Sequence, residues 1–207
     1  MRKNSAVIPV TDLGTGSVYT SSAYRKISDI ARRSSVSNPY GRVLYNLARI
    51  NNGNDILELG TSLGISTLYL GLGAADSDII TIEGCSRLAR VARENFKRCG
   101  SGNITVMEGD FEDHLQKLND GRYSPSLVFV DGNHSKEPVL RYFSLLKELL
   151  TPDSVIVFDD INYSSEMSEA WNEIKSDSQV SVSIDIFRMG LVFFRTGMVK
   201  QDFIIRY

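Results

Sequence analysis

The most constraining feature of this chain is a fivefold alternation between residues 56 and 175. Five short apolar runs read as strands: Ile56–Leu59, Ile79–Ile82, Ile104–Met107, Leu127–Val130 and Val155–Phe158. Each is followed by a stretch with helical spacing: Ile65–Leu72, Ser86–Arg98, Phe111–Leu118, Glu137–Leu150 and Ser165–Lys175. Strands separated by helices are joined by crossovers, which lays them side by side and parallel. The runs LVFV and VIVF are apolar throughout, as central strands covered on both faces should be. Beyond residue 179 the pattern changes. Val180–Phe187 alternates apolar with polar, and Leu191–Phe194 follows across a link too short for a helix, so these two strands form an antiparallel hairpin. The expected fold is α/β: a doubly wound sheet of seven strands, mostly parallel, with a C-terminal antiparallel hairpin.

Upstream, residues 1–20 are rich in Gly, Ser and Thr and read as a loosely held arm. A short amphipathic helix with a basic outer face is expected over Ala23–Arg33, then a break at Ser34–Pro39 and a helix over Tyr40–Ile50. With no repeat or linker, residues 1–207 are expected to form one domain, 1–50 as N-terminal arm and helices and 51–207 as the ligand-binding core. The formal net charge of −2 gives no reason to expect a nucleic-acid partner. No apolar run suits a membrane span or a secretory leader. Cys85 and Cys99 lie on either side of an expected helix, roughly 20 Å apart along it, too far for a disulfide. Free thiols fit a reducing cytoplasm.

The first strand runs into a glycine turn, Glu58-Leu-Gly60-Thr61-Ser62-Leu-Gly64, and then a helix. Such a turn aims backbone N–H groups at a ligand. The spacing is not the G-x-G-x-x-G of dinucleotide sites, and no Gly-Lys-Ser/Thr ending marks a P-loop. Glu83 ends the second strand 23 positions after Gly60, where doubly wound folds place an acid on ribose hydroxyls. Gly109-Asp110-Phe111 follows the third strand, pairing an acid with a ring suited to an adenine amino group and face.

With these pieces in place the chain resembles class I S-adenosylmethionine (SAM)-dependent methyltransferases, in the branch of the catechol O-methyltransferase-like small O-methyltransferases. The matching segments are LELGTSLGISTLYL, TIEGCSRLARVARENFKRCG, VMEGDFEDHL, LVFVDGNHSKEPVLRYF and VIVFDDI. The resemblance implies the Rossmann-like methyltransferase sheet and an N-terminal helical extension. It implies SAM as cofactor and transfer of a methyl group to a hydroxyl of a small-molecule acceptor. It places Gly60, Thr61, Ser62 and Gly64 against the methionine portion, with Ser66 on its carboxylate and Glu58 near its ammonium. Glu83 takes the ribose, and Gly109, Asp110 and Phe111 take the adenine. A second copy of the chain, in a homodimer, is the expected macromolecular partner.

Asp131 follows the fourth strand, and Asp159 and Asp160 the fifth. Neighbouring strands would gather all three carboxylates at the ligand-binding edge of the sheet. Crowded carboxylates are tolerated if solvated, protonated or bridged by a hard cation such as Mg²⁺ or Ca²⁺. The catechol-type family holds Mg²⁺ with an Asp after strand four and an Asp-Asn pair after strand five. This chain departs by carrying Asp160 in place of that Asn, with Asn162 nearby as a substitute ligand. The residues alone equally allow Asp159 or Asp160 to cap the next helix and Asp131 to turn the chain. His134 stands where the family has a lysine base, three positions after Asp131, and a neutral imidazole there can take a hydroxyl proton. Tyr24, Ser34–Tyr40, the loop after Asp160 and the tip Phe187–Met189 are the candidate acceptor walls. Rival readings are a metal-independent SAM methyltransferase with another acceptor, a non-catalytic SAM-binding scaffold and a nicotinamide oxidoreductase.

Overall fold

Side chains alternate across each central strand, and this decides the layers. Leu57, Val128 and Ile156 face one helical layer, while Ile56, Leu127 and Val155 face the other. The computed structural model describes residues 1, 3–11, 24–120 and 122–206. In chain order the elements are β1 (Val7–Pro9), β2 (Tyr24–Lys26), α1 (Ile27–Arg33), α2 (Asn38–Ile50), β3 (Ile56–Leu59), α3 (Ile65–Gly73), β4 (Ile79–Glu83) and α4 (Ser86–Cys99). They continue with β5 (Ile104–Glu108), α5 (Phe111–Leu118), β6 (Leu127–Val130), α6 (Lys136–Lys147), β7 (Val155–Phe158), α7 (Ser165–Ser176), β8 (Val182–Asp185), β9 (Gly190–Phe193) and β10 (Gln201–Ile204).

The main sheet runs β10-β8-β9-β7-β6-β3-β4-β5. β5, β4, β3, β6 and β7 are parallel, and β9 is antiparallel to both β7 and β8. The chain moves outward from β3 to β5, then returns to β6 on the other side of β3. That reversal opens a crevice at the carboxyl ends of β3 and β6, the usual ligand site of such sheets. α5, α6 and α7 cover one face, and α2 and α3 the other. Met167, Ala170, Trp171 and Ile174 are buried in the first layer as an ordinary core stripe.

Three details differ from expectation. The sheet has eight strands rather than seven. β10 joins β8 in parallel, mainly by backbone pairing, and all four of its residues are exposed. With neither face buried it carries no hydrophobic alternation to betray it. Near the N-terminus, β1 pairs with β2, so part of the expected arm is strand and the expected helix starts at Ile27 rather than Ala23. Positions 12–23 of that arm and helix lie outside the described residues. Finally, α2 begins at Asn38, with Pro39 inside its first turn, where a missing N–H does no harm.

Candidate active site

Register sets the site. Leu59 pairs with Ile82 and Val130, and Val130 pairs with Phe158. The next residue along each strand therefore stands in one row: Glu83, Gly60, Asp131, Asp159. The row is tight. A Cβ on Gly60, whose φ is +102°, would lie 1.9 Å from the Asp131 carbonyl oxygen. A Cβ on Gly132 would meet the Phe111 ring at 2.6 Å. Among the described residues, the four non-glycine residues with left-handed φ are Ser62, Asn133, Asp160 and Phe187, and all lie in loops at this edge. Strained backbone of this kind persists where the surroundings impose it, and it concentrates at functional sites.

The half around β3 and β4 is built on two acids. Glu58 is fully buried. Its Oε2 accepts hydrogen bonds from Thr67 Oγ1 (2.5 Å) and Thr81 Oγ1 (2.6 Å), and Thr61 Oγ1 lies 2.6 Å from that same Thr81 hydroxyl. Its Oε1 is buried with no hydrogen-bond partner among the described residues. Burial pushes the Glu58 carboxyl up to about 7; the hydroxyls of Ser66, Thr67 and Thr81 pull it down, and the charge of Glu83 adds to the rise. Glu83 accepts from the backbone N–H of Ser62 (2.7 Å) and of Cys85 (2.8 Å), so it ties the glycine turn to the end of β4. Gly64, with φ +79°, is the N-cap of α3 and abuts the Phe96 ring. Ser66 is buried in the first turn of that helix. Asp110 is the N-cap of α5: its Oδ1 accepts from the N–H groups of Glu112 (2.8 Å) and Asp113 (3.2 Å). Phe111 packs edge-on to Tyr142, with ring centroids 5.5 Å apart, and Gly109 precedes them at φ +140°.

The half around β6 and β7 brings the three aspartates together, as expected, but with a fourth residue that sequence reasoning missed. Arg188, on the β8–β9 tip, donates from Nε to Asp159 Oδ1 (2.9 Å) and from Nη2 to Asp159 Oδ2 (2.6 Å). Its Nε also lies 3.2 Å from Asp160 Oδ1. Burial opposes the guanidinium charge, but the bond to Asp159 and the charges of Asp159, Asp160 and Asp131 outweigh it and raise the Arg188 pKa. Asp131 is pushed well above the usual carboxylate range by burial and by Asp159 and Asp160, with Arg188 acting against them. Asp160 is raised by burial and by Asp159, against Arg188 and His134. His134 Nε2 stands 3.6 Å from Asp131 Oδ1 and 3.8 Å from Asp160 Oδ2, within ion-pair reach of both.

Neither Asp159 nor Asp160 caps α7, since Ser164 Oγ does so by accepting from Met167 N–H (3.1 Å). Asn162 Nδ2 donates to the Phe187 carbonyl (2.7 Å), so it fastens the hairpin tip. Of the expected walls, Phe187 and Tyr163 are exposed, while Met189 is fully buried and belongs to the core. A sequence signal for Arg188 did exist. Three carboxylates at one sheet edge call for a counter-charge, and Arg188 is the basic residue between the two hairpin strands.

A family model described as a methyltransferase domain matches residues 57–161. A catechol O-methyltransferase of Niastella koreensis is 32% identical over 130 residues, which cover 61% of this chain and 58% of that protein. A catechol O-methyltransferase of Mycobacterium tuberculosis is 34% identical over 131 residues, covering 62% and 58%. The chain thus spans under two thirds of the length of these curated relatives. Among solved structures, an O-methyltransferase from Bacillus cereus in complex with SAH is similar at a TM-score of 0.67 and 25% identity, over 78% of this chain and 83% of that one.

Proposed function

The chain belongs to the methyltransferase-domain family, and from that premise we propose that it transfers a methyl group from S-adenosylmethionine to a hydroxyl of a small molecule. The observation that carries this reading is the orphaned Oε1 of Glu58, a buried acceptor beside the glycine turn. A buried carboxylate oxygen without a donor is costly, and the ammonium of a methionine moiety is a fitting partner for it. When bound, S-adenosylmethionine supplies a methyl group on a positively charged sulfur, already activated for transfer.

The chain's own residues then bind, orient and move one proton. Glu58 takes the ammonium, and Ser66 donates to the carboxylate. Gly60 and Gly64, lacking side chains, let the turn formed with Thr61 and Ser62 approach the ligand closely. Glu83, which accepts from the N–H groups of Ser62 and Cys85 at the end of β4, takes the ribose hydroxyls. Asp110 uses Oδ1 for its cap and leaves Oδ2 for an adenine amino group, beside the Phe111 ring and Gly109. His134 Nε2 receives the proton of the acceptor hydroxyl, and the flanking Asp131 and Asp160 stabilise the imidazolium that results.

We do not extend the proposal to a divalent cation. The oxygen donors of Asp131, Asp159 and Asp160 suit a hard metal in kind, but Arg188 takes both oxygens of Asp159 and reaches Asp160. Among the described residues no group of three or more His, Cys, Asp and Glu side chains is disposed to hold a metal ion.

Calorimetric titration of SAM and S-adenosylhomocysteine tests the reading. Wild type is expected to bind both, and Glu58→Ala to lose affinity for both. A wild-type protein that binds neither overturns it.

A further inference from the structure

Arg188 is held where it is by more than its own ion pair. Ile161 N–H donates to its carbonyl oxygen (3.0 Å), Asn162 Nδ2 to the carbonyl of Phe187 (2.7 Å), and Tyr40 Oη to the carbonyl of Ile186 (3.1 Å). Phe187 N–H donates to Asp185 Oδ1 (2.7 Å), and Phe187 itself is bent to φ 74°. An exposed aromatic residue enters that region only when its surroundings require it. The guanidinium lies over the Tyr40 ring, 6.0 Å from its centroid. Nε and Nη2 are engaged by carboxylates, while Nη1 makes no hydrogen bond to any described residue.

We propose that Arg188 is the resident counter-cation of this site: it stands in place of a divalent metal on Asp159 and Asp160, closes the cluster to Mg²⁺, and leaves Nη1 to hold an oxygen of the acceptor. A guanidinium fork matches a carboxylate with two parallel bonds, and its full positive charge, set against Asp159 and Asp160, both neutralises these acids and repels a second cation from them. The guanidinium does not lose its charge at any pH the protein survives, so the site has no metal-accepting state that titration alone can reach. The consequence for the acceptor is chemical. A metal grips two adjacent oxygens, whereas the Nη1 amino group only donates hydrogen bonds, so an acceptor with a single hydroxyl or oxyanion can be held here and a vicinal pair is not needed. The acceptor part of this inference rests on the methyltransferase reading, but the exclusion of metal does not.

Titration of Mn²⁺ into the full chain, followed by water-proton relaxation, decides the matter, with SAM affinity measured on the same samples by calorimetry. Wild type is expected to bind no Mn²⁺ at millimolar concentration. Arg188→Met is expected to bind one ion, and a further Asp159→Asn change to abolish that binding. Stoichiometric Mn²⁺ binding by wild type that disappears in Asp159→Asn overturns the inference. So does an Arg188→Met protein that keeps its circular dichroism spectrum and still binds no Mn²⁺. If Arg188→Met does not fold, the wild-type titration with its Asp159→Asn control decides alone. Loss of SAM binding by wild type would strike the proposed function and leave the Mn²⁺ result standing, and the reverse also holds.

Discussion

Glu58 and Asp159 are both sealed from solvent, at 0% and 1% exposure, and both sit at the carboxyl ends of neighbouring regions of one sheet. Their oxygens are treated oppositely. Glu58 accepts from the hydroxyls of Thr67 and Thr81 on one oxygen, with Ser66 close by, and its other oxygen has no hydrogen-bond partner among the described residues. Asp159 has a guanidinium across both. Burying a carboxylate is costly in either place. At Asp159 the chain supplies a compensating charge itself, while at Glu58 it supplies hydroxyls and the carboxyl is raised to about 7; the proposed ammonium would be the missing partner. A buried carboxylate that its own chain satisfies is explained by architecture, whereas one with an open oxygen, as at Glu58, is where the proposed ligand can be tested.

That contrast can be broken first at its strongest point. Arg188→Met leaves Asp159 buried and unpaired, and should cost about 3–5 kcal/mol in urea unfolding. Arg188→Met combined with Asp159→Asn should recover much of it. A loss close to zero for the single change would mean that Asp159 does not depend on its partner. The next effect is on pH. The Glu58 carboxyl is raised from an ordinary value of 4.5 to about 7, so between those pH values the folded protein keeps a proton that the unfolded chain releases. Its contribution to stability is therefore complete below pH about 4.5 and is lost as pH rises through about 7, a decline of about 3 kcal/mol for this group. Thermal or urea unfolding of the cofactor-free protein between pH 5 and pH 8 measures it, and Glu58→Gln should flatten that part of the profile. A slope that Glu58→Gln leaves untouched would assign it to other groups. Smaller again, Glu58→Gln should weaken SAM binding by about 1.5–3 kcal/mol, roughly tenfold or more, through loss of a charge-assisted bond. The smallest effect separates two roles of Asp110. Asp110→Ala removes the α5 cap and should cost about 1 kcal/mol, whereas Asp110→Asn keeps a capping oxygen and should cost almost nothing. If the carboxylate also binds adenine, Asp110→Asn still lowers SAM affinity. Unchanged affinity confines Asp110 to the cap.

The half of the site around β3 and β4 is far more legible in the sequence than the half around β6 and β7, for a physical reason. Gly60, Gly64, Glu83 and Asp110 are bound to local features, namely a turn, a strand end and a helix start, so spacing along the chain predicts their neighbourhood. Arg188 reaches Asp159 from 29 positions away through a hairpin tip whose shape depends on Tyr40, Ile161 and Asn162. No local pattern encodes that meeting. The central strands were readable from apolar runs covered on both faces, whereas β10, with no covered face, left no pattern to read. Asp110 and Asn162 show a further limit. Residue type suggested ligand binding, and the structure shows each also making a structural bond that any ligand role would have to share.

The level register of β4, β3, β6 and β7 has one more consequence. It makes the sheet edge a ruler. Adjacent strands are spaced about 4.8 Å apart by their backbone hydrogen bonds, so three intervals place the strand-end positions of Glu83 and Asp159 about 14 Å apart. No side chain sets that interval, and no side-chain substitution that preserves the sheet can alter it. Variation along this edge can change what is gripped at each graduation, but the length of molecule that spans them is written in the main chain.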